Sequence, residues 1–494
     1  MSVSRVGKTF GDAEYNACTT EIQFSAKVLE MRRLLIVVAT LLLASFLYWY
    51  PFLSAQTPVT KDGAAAVTTA DLLVGLSTAD GADNAGLIQR AVDGGTAQIR
   101  FPKGRYRISK TITVNLAEVG PTSFSSDGTT TLVMTGPGPA IRYIGTHGGT
   151  ASPHTMKPDV WEGQRTPLVD GLEITATHPE ADGIAAKGTM QLTVSRTTIT
   201  HVRHAVRLQE RNRNVTLSEC HLYDNHGIGV FLDGVNLHQI NVANCHISYN
   251  DAGGIVAKQS EIRNLQVGTC DIEGNMGGAE SLPTANILLD STDSSIGEVA
   301  IVGCTIQHSH DAPQSANIRI LGRCTKRPFT EELRHGNITI ANNVLSDVRV
   351  NIELQEVRGA AITGNTIWKG YDHNLRVVGC KNIVVGNNVF DRNPRYGYGD
   401  GNDAKLGILF RDTQDSLFSA NHIYGCGDIP VAVQFVNCQR MNIQGCSVLD
   451  FAHSGMLLQD CVKSRVGNNL IDGEIVGDGF GLRVQGGRDN VIEQ

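Results

Sequence analysis

The sequence lacks the excess of basic residues that a nucleic-acid-binding protein normally carries. Its 42 lysines and arginines are outnumbered by 49 aspartates and glutamates, which gives a formal net charge of −7. This balance argues against a nucleic-acid partner, although a local basic surface is compatible with it. The 11 cysteines include no Cys-x-x-Cys pair, so the sequence does not indicate a thiolate metal site.

Aromatic residues are also scarce, at 6% of the chain, whereas glycine is abundant, with 53 residues. This composition favours many short strands joined by tight turns. A chain of 494 residues is long enough for several domains. A single solenoid fits equally well, because a solenoid grows by adding coils instead of enlarging one core.

A long hydrophobic run stands out between Leu34 and Leu53, directly after Arg32 and Arg33. Read from Met31, residues 31–55 resemble a secretory signal peptide with a basic start, an apolar middle and small residues before Gln56. The alternative is an uncleaved membrane anchor, because residues 34–53 are just long enough to span a bilayer. Both interpretations export the remainder, which is then secreted, periplasmic or held at the cell surface, with membrane contact only through residues 34–53.

These boundaries divide the chain into four predicted parts. Residues 1–30 are an upstream extension if Met31 is the true start, or a short cytoplasmic tail if the hydrophobic run is an anchor. Residues 31–55 form the export segment, 56–76 a linker and 77–494 the folded region. The last residues, from Asn490, begin another repeat without an evident cap, so the final edge is expected to be covered or the chain to continue.

From about residue 170 the chain repeats one pattern of short alternating strands, in which a Cys or Asn follows the first strand. The steps between these anchor residues are 22–25 residues with a few longer insertions, as expected for a coil of three short strands. A leucine-rich repeat is similar in length, but its Leu-x-x-Leu-x-Leu frame is absent. The anchor column consists of Cys220, Cys245, Cys270, Cys304, Asn343, Asn365, Asn388, Asn421, Cys446 and Asn469.

The alternation of Asn and Cys in one column has a physical explanation. Coils of a parallel solenoid stack about 4.8 Å apart, so equivalent positions form ladders. A buried Asn can hydrogen-bond its neighbours above and below, and the small Cys side chain fits the same position. We expect reduced thiols, because stacked side chains point the same way and cannot easily reach the dihedral angle of a disulfide.

The start of the folded region carries a recognisable motif. Asp80-Gly81-Ala82-Asp83 leads into Leu87-Ile88-Gln89-Arg90-Ala91-Val92, which has the apolar spacing of a short helix. The strand Phe101-Pro102-Lys103-Gly104-Arg105-Tyr106-Arg107-Ile108 follows. This stretch resembles the entry motif of pectate-lyase superfamily β-helices, including their rhamnogalacturonase/epimerase-like members. The resemblance extends over residues 77–494 through the Asn-containing repeats.

The predicted fold is therefore all-β: a single-stranded right-handed parallel β-helix of about a dozen coils with a short N-terminal capping helix. The helix would protect the first sheet edge. The resemblance also implies work on polysaccharides, usually on the outward face of one sheet. Members include lyases, hydrolases, epimerases and non-catalytic binders, so the reaction stays open.

The strand after each longer turn is the expected working surface. Alignment of these strands from Ala185 to Gln485 gives two outward columns with a net charge of +4, opposite in sign to that of the chain. Such a face could bind an anionic glycan, and the alternative is a solvated face of interleaved ion pairs. The columns contain the basic residues Lys187, Arg207, Lys258, Arg319, Arg376, Arg411 and Arg483 and the acidic residues Asp233, Asp290 and Glu353.

Insertions indicate where on this face a cleft would lie. Longer steps predict loops at 274–285, 307–316, 322–336 and 391–405, and a further insertion at 145–168, with Trp161, could wall one end. The last of the four loops contains Tyr396 and Tyr398, which could stack on sugar rings. We predict substrate-binding roles for Lys187, Arg207, Asp233, Arg411, Tyr396, Tyr398 and His310, and catalytic roles for Asp290, Glu353, Arg319, Arg376 and Lys258.

Two mechanisms fit these residues. In a lyase or epimerase, Arg319 or Arg376 would neutralise a uronate carboxylate while Lys258 or His310 removes a proton. In a glycoside hydrolase, Asp290 and Glu353 would act as the acid–base pair, since they lie two coils, or about 9.6 Å, apart. The leading hypothesis is thus an exported enzyme acting on an acidic polysaccharide. The alternative is a non-catalytic glycan-binding or adhesin-like β-helix.

Departures from family motifs leave the reaction undecided. The sequence has no Asp-Asp pair, which the pectin hydrolases require, and Tyr371-Asp372-His373-Asn374 is only a faint echo of the epimerase Asp-Pro-His-Asp motif. We expect no cofactor. The alternatives are a Ca²⁺ contact at Asp290-Ser291-Thr292-Asp293 and a metal at His308-Ser309-His310-Asp311, which is more simply a solvated turn.

Overall fold

The structure is a computed structural model that describes residues 75–149, 152–292, 294–323, 336–391, 406–427 and 429–493. Within these ranges the chain forms 39 strands and three α-helices, numbered here in chain order. The predicted export segment and all but the last two residues of the predicted linker lie outside the described residues. None of the described helices has the length and apolar character needed to cross a bilayer.

The predicted capping helix is α1 (Ala85–Asp93), which places Ile88 and Val92 in the core next to the first coil. Asp83 fixes its start, because Oδ1 accepts the backbone N–H groups of Ala85 and Ser109 at 3.1 and 3.0 Å. Two shorter helices, α2 (Leu116–Val119) and α3 (Pro158–Gly163), and a 3-10 turn at Pro153–Thr155 lie in later connections.

The strands pair in parallel and stack into three sheets around one core, and the longest of them turn a corner and belong to two sheets. Sheet 1 contains β3 (Ile112–Asn115), β5 (Gly138–Ile144), β7 (Ala181–Met190), β10 (Val206–Ser218), β12 (Val230–Ala243), β14 (Ile255–Lys258), β17 (Ala285–Asp290), β20 (Ala316–Leu321), β23 (Val348–Gln355), β26 (Gly370–Val378), β29 (Ile408–Arg411), β32 (Val433–Val436), β35 (Ser454–Gln459) and β38 (Phe480–Gln485). Sheet 2 contains β1 (Gln98–Arg100), β4 (Ser123–Met134), β6 (Leu168–Ala176), β8 (Thr193–Ser195), the second halves of β10 and β12, β15 (Glu261–Gly268), β18 (Ser295–Val302), β21 (Gly336–Ala341), β24 (Arg358–Thr363), β27 (Lys381–Gly386), β30 (Gln414–Ser419), β33 (Gln439–Gln444), β36 (Arg465–Gly467) and β39 (Val491–Ile492). Sheet 3 contains β2 (Gly104–Ile108), the second halves of β4 and β6, β9 (Thr198–Thr200), β11 (His221–Tyr223), β13 (His246–Ser248), β16 (Asp271–Glu273), β19 (Thr305–Gln307), β22 (Val344–Ser346), β25 (Thr366–Ile367), β28 (Val389–Phe390), β31 (His422–Gly427), β34 (Ser447–Phe451) and β37 (Leu470–Asp472).

This arrangement confirms the predicted parallel β-helix. Sheet 1 has fourteen strands among the described residues, close to the predicted number of coils. Period-two alternation turns one side of each strand into the solenoid, as in β20, where Ile318 and Ile320 are buried. The same alternation in every coil builds one continuous apolar core.

The predicted anchor column lies at the turn from sheet 2 to sheet 3. Its described Asn residues form a ladder: Asn343 Nδ2 donates to Asn365 Oδ1 at 3.0 Å, Asn365 to Asn388 at 2.9 Å and Asn388 to Asn421 at 3.0 Å. The residue before each ladder position has a positive φ, for example Asn387 at 56°, which turns the chain sharply enough to bury the next side chain.

The described cysteines, in this column and elsewhere, are not joined by disulfide bonds. Eight described cysteines are free and buried. Their thiols donate to backbone carbonyls, as Cys245 Sγ does to Ala243 O at 3.2 Å. The stack therefore satisfies its polar groups along the backbone rather than through covalent links.

A second Asn ladder was not predicted. It runs along the turn from sheet 3 to sheet 1, with side-chain amide contacts of 2.7–2.9 Å between successive members. Its seven members are Asn225, Asn250, Asn275, Asn286, Asn317, Asn351 and Asn374. The sequence signal is the repeated Asn-Ile or Asn-Leu pair that begins four strands of sheet 1.

Replacing Asn365 with Ala is expected to lower the free energy of unfolding by about 2 kcal/mol, because the buried amides of Asn343 and Asn388 lose a partner. Asn241→Ala is the control, since Asn241 is an exposed strand residue outside both ladders. Chemical denaturation of both variants measures the difference. Equal losses would show that the ladder adds no stability of its own.

Candidate functional site

The outer face of sheet 1 carries the charged residues that the sequence analysis assigned to it. Strand register places Arg319 beside Glu353 and Glu353 beside Arg376 in one column. In the neighbouring column, Lys258 lies between Asp233 and Asp290. Nine of the predicted site residues therefore share this face: Lys187, Arg207, Asp233, Lys258, Asp290, Arg319, Glu353, Arg376 and Arg411.

The tightest group on this face is a triad of Arg319, Glu353 and Arg376. Arg319 Nε donates to Glu353 Oε2 at 2.6 Å, and Arg376 Nη1 donates to Oε1 of the same carboxylate at 2.5 Å. The side chains of Arg319 and Glu353 are only 12% and 11% exposed, whereas Arg376 is 29% exposed. Both oxygens of Glu353 are thus engaged by guanidinium groups, and Arg376 is the member that solvent and a ligand can reach.

Arg319 also fixes the two loops in front of the triad. Its Nη1 donates to the carbonyl of Thr284 at 3.3 Å and its Nη2 to that of Gln314 at 2.6 Å. These carbonyls end the loops that precede β17 and β20, which match two of the predicted insertions. Beneath the loops lies a small apolar cluster on the outer side of the sheet, formed by Ile228, Val256, Ala285, Leu288, Ala316 and Val350. Arg319 therefore holds both loops against the sheet, and its N–H donors are used in contacts within the protein.

A second ion-paired group occupies the earlier coils. Arg207 donates to Asp233 Oδ2 at 2.5–2.9 Å, and Gln209 donates to the same oxygen at 3.0 Å. Asp182, which is almost fully buried, accepts two hydrogen bonds from Arg203 at 2.8 and 2.9 Å. Lys187 pairs with Glu210 at 2.8 Å, so these basic residues are largely neutralised in place.

His204 lies in the middle of this second group. Its Nδ1 accepts the backbone N–H of Ile228 at 3.1 Å, and its ring lies 5.0 Å from that of Phe231. Burial lowers the pKa of His204 to about 4, with Arg203 and Arg207 acting in the same direction against Asp182 and Asp233. The imidazole is therefore neutral at ordinary pH and serves packing.

The remaining predicted residues are less constrained. Lys258 and Arg411 are exposed, and Asp290 Oδ1 accepts the backbone N–H of Thr292 at 2.9 Å, which closes a local turn. His310 stacks on Tyr371 with ring centroids 4.5 Å apart. Tyr396 and Tyr398 lie outside the described residues, as do the loop that carries them and Asp293 of the alternative Ca²⁺ contact.

The spacing of the strands limits which residues can act together. Lys258 in β14 and Arg376 in β26 are four strand steps apart, or about 19 Å, so they cannot contact one reacting carbon. Asp290 and Glu353 are two steps apart as predicted, but they lie in different columns. Lys258 is therefore too far from the exposed Arg376 to share a site with it, and both carboxylate oxygens of Glu353 are used within the triad.

The faint epimerase-like motif has a structural explanation. Asn374 is a member of the second ladder, and His373 is buried, with Nδ1 2.8 Å from the carbonyl of Gly407. Burial lowers the pKa of His373, which keeps it neutral. Two of the four motif residues thus serve the scaffold, and Tyr371 is the one that meets His310 at the surface.

Comparisons with known proteins agree with the fold. A family model described as a right-handed β-helix region matches residues 160–306, and one described as a periplasmic copper-binding protein (NosD) matches residues 298–494. No curated protein matches the sequence. The fold is a right-handed parallel β-helix.

Several solved structures are similar at low identity. The A-module of the Azotobacter vinelandii mannuronan C-5 epimerase AlgE4 is 13% identical, with 86% of this chain and 99% of that chain covered and a TM-score of 0.40. The Streptococcus pneumoniae surface protein and adhesin PfbA is 10% identical, with 87% and 100% covered and a TM-score of 0.42. Tailspike protein 3 of bacteriophage CBA120 is 12% identical, with 86% of this chain but only 56% of that chain covered and a TM-score of 0.40.

The NosD description names copper binding, and the eight free cysteines that the structure describes are buried in the stack. Copper prefers thiolate, thioether and imidazole ligands, and a cysteine must lose its proton to bind. In each hydrogen-bonded pair one thiol has a lowered pKa, Cys220 or Cys461, and its partner has a raised pKa, Cys245 at about 12 and Cys438 far above its ordinary value. Among the described residues, no group of three or more His, Cys, Asp or Glu is arranged to hold a metal ion.

Glu353→Gln is expected to lower the free energy of unfolding by about 3 kcal/mol, because it leaves two arginines together without their counter-charge. Arg376→Gln should cost about 1 kcal/mol, since Arg376 is more exposed and Glu353 keeps Arg319. Chemical denaturation of the two variants tests the order. A smaller loss for Glu353→Gln would contradict the scaffold role of that carboxylate.

The free energy of unfolding is expected to fall as the pH drops from about 6.5 to about 4. In this window the unfolded chain protonates His204, whereas the folded protein keeps it neutral. His204→Gln should make this dependence less steep, with His147 still contributing, and His226→Gln, at an exposed position, should leave the slope unchanged. Thermal unfolding at several pH values measures the slopes. Parallel curves for all three proteins would exclude a contribution from His204.

Proposed function

We propose that this protein is an exported β-helix that binds an acidic polysaccharide along the outer face of sheet 1. The observation that carries the proposal is the concentration of seven basic and three acidic side chains in two adjacent columns of one sheet, on a chain with a net charge of −7. Export fits the hydrophobic segment at residues 34–53 and the family model that describes a periplasmic protein.

The charges that remain available support an anionic ligand. Of the seven basic residues, Lys187, Arg207, Arg319 and Arg376 are ion-paired, and Arg376 keeps an exposed part of its guanidinium group. Exposed Lys258 and Arg411 lie on either side of the triad along the sheet. Three cationic groups spaced along a parallel sheet suit a chain with repeated negative charges better than a single small anion.

Catalysis is the second candidate function. His310, a candidate proton acceptor, stacks on Tyr371 of β26, and Arg376, a candidate carboxylate-binding group, follows five residues later on the same strand, about 16 Å along it. This arrangement favours a lyase or an epimerase. A hydrolase is less well supported, because both oxygens of Glu353 are occupied by arginines.

A panel of polyuronates and sulfated glycans, with neutral glycans of similar length for comparison, tests the proposal by calorimetry. We expect binding of at least one acidic glycan that weakens with salt. The triple variant Lys258→Gln, Arg376→Gln and Arg411→Gln should weaken it at least tenfold, because each charged contact contributes about 1.5–3 kcal/mol. Arg105→Gln, which removes an exposed arginine on sheet 3, is the control.

The same mixtures distinguish binding from catalysis. New reducing ends indicate a hydrolase, unsaturated ends indicate a lyase, and an altered ratio of the epimeric sugars in an uncleaved chain indicates an epimerase. A glycan that binds measurably and changes in none of these ways indicates a binder. The proposal fails if no acidic glycan binds, if neutral glycans bind equally well, or if the triple variant retains full affinity.

A further inference from the structure

A strip of basic residues follows the corner where sheet 1 turns into sheet 2. Register places Arg213, His238 and Arg263 at the same position of three successive coils, in β10, β12 and β15. Arg211 lies two residues before Arg213 and pairs in register with Asn236. All of these positions face outward, because the residues between them, Asn212, Leu237 and Ile262, are fully buried.

This strip lines a cavity of about 500 Å³. The insertion that begins at residue 145 closes one side, where Gly148 and Gly149 reach the cavity. Its helix α3 and Gln164 hold the insertion in place, since Gln164 Oε1 accepts the backbone N–H of Thr146 at 2.9 Å. The cavity is lined by Gly148, Gly149, Arg211, Asn236, Leu237, His238, Glu261 and Arg263.

Several buried nitrogen atoms of this region have no hydrogen-bond partner. They are Nε and Nη2 of Arg211, Nδ1 of His238 and Nε2 of His147. The side chain of His147 is almost completely buried, and Arg211 has one partner, Asn236, for Nη1. Leaving buried polar atoms unpaired is costly, so the three unpaired nitrogens on the cavity-lining residues Arg211 and His238 indicate a group that they would bind.

The residues that line the cavity also carry more positive than negative charge. Glu261 is the one carboxylate that lines the cavity, against Arg211, Arg263 and a neutral His238. Burial, reinforced by Arg213, lowers the pKa of Arg211. Burial together with Arg211 and Arg213 lowers the pKa of His147 to about 4. A local excess of positive charge therefore remains, because one carboxylate faces two arginines in the cavity lining.

We propose that the cavity is an oxyanion-binding site, in which Arg211 and His238 hold a sulfate, phosphate or carboxylate group. A guanidinium group presents parallel N–H donors that match two oxygens of such a group, and a neutral imidazole adds one more donor. The oxyanion can be a free inorganic ion or a substituent of a sugar, since the cavity is open and larger than one ion. This site is separate from the triad and does not rest on glycan binding by sheet 1.

Thermal unfolding of the full chain in low millimolar sodium sulfate or phosphate, against sodium chloride at equal ionic strength, tests the proposal. We expect a saturable rise of the Tm for the wild type and for Arg105→Gln. Arg211→Gln should weaken the apparent affinity at least tenfold, and His238→Gln should weaken it several-fold. In buffer without oxyanions, the Tm of Arg211→Gln should stay at or above that of the wild type, because the variant removes an uncompensated charge.

Sulfated and uronate disaccharides, with their uncharged parents, identify the source of the oxyanion. Stronger stabilisation by the charged disaccharides than by the inorganic ions assigns the site to a glycan substituent, and the reverse assigns it to a free ion. The proposal is overturned if no saturable rise occurs with any of them, or if Arg211→Gln and His238→Gln respond like the wild type. If Arg211→Gln does not fold, its arginine is structural, and an unchanged His238→Gln response would then also reject the site.

Discussion

The stacking of coils in register is the constraint on which the rest of the structure depends. Each buried Asn of a ladder donates to the Asn of the next coil, to a backbone carbonyl of the preceding coil, or to both, so a slip of one residue would leave several buried polar groups unpaired. Apolar contacts alone would tolerate such slips, because neighbouring Ile, Leu and Val side chains are similar in size. The ladders therefore specify the register, and the apolar core supplies most of the driving force.

The same stacking explains the chemistry of the outer surface. Side chains at equivalent positions are held about 4.8 Å apart, so like charges in one column repel unless they alternate in sign or are separated. The column through Arg319, Glu353 and Arg376 alternates and is paired. The column through Arg213, His238 and Arg263 does not alternate, and it lies at the corner that an insertion covers. The first column thus alternates in sign, whereas the second carries basic residues only.

The sequence allowed much of this architecture to be predicted, because a period of 22–25 residues converts directly into columns. The anchor column and the outward direction of the charged residues follow from that period and from alternation, and the capping helix follows from the apolar spacing of residues 87–92. The ion pairs could not be predicted from the sequence. The partner of a side chain such as Glu353 depends on its rotamer and its burial, and residue spacing determines neither. The basic corner repeats at 25 residues, but its cavity depends on residues 145–149, which are distant in sequence.

The second ladder shows how the solenoid accommodates long loops without losing register. In the earlier coils the ladder Asn precedes the turn into sheet 1, as Asn250 does, whereas in later coils it follows the turn, as Asn317 does. One coil contributes both kinds, because Asn275 and Asn286 flank the loop between them and are joined at 2.9 Å. The loop thus leaves and re-enters the stack within one ladder step, so its length does not affect the next coil. From that coil onward, two described loops end at ladder-bearing strands and are clamped by Arg319. The ladder Asn thus moves from before the turn to after it. This change of position allows the insertions to lie beside one part of sheet 1, where the exposed cations also lie.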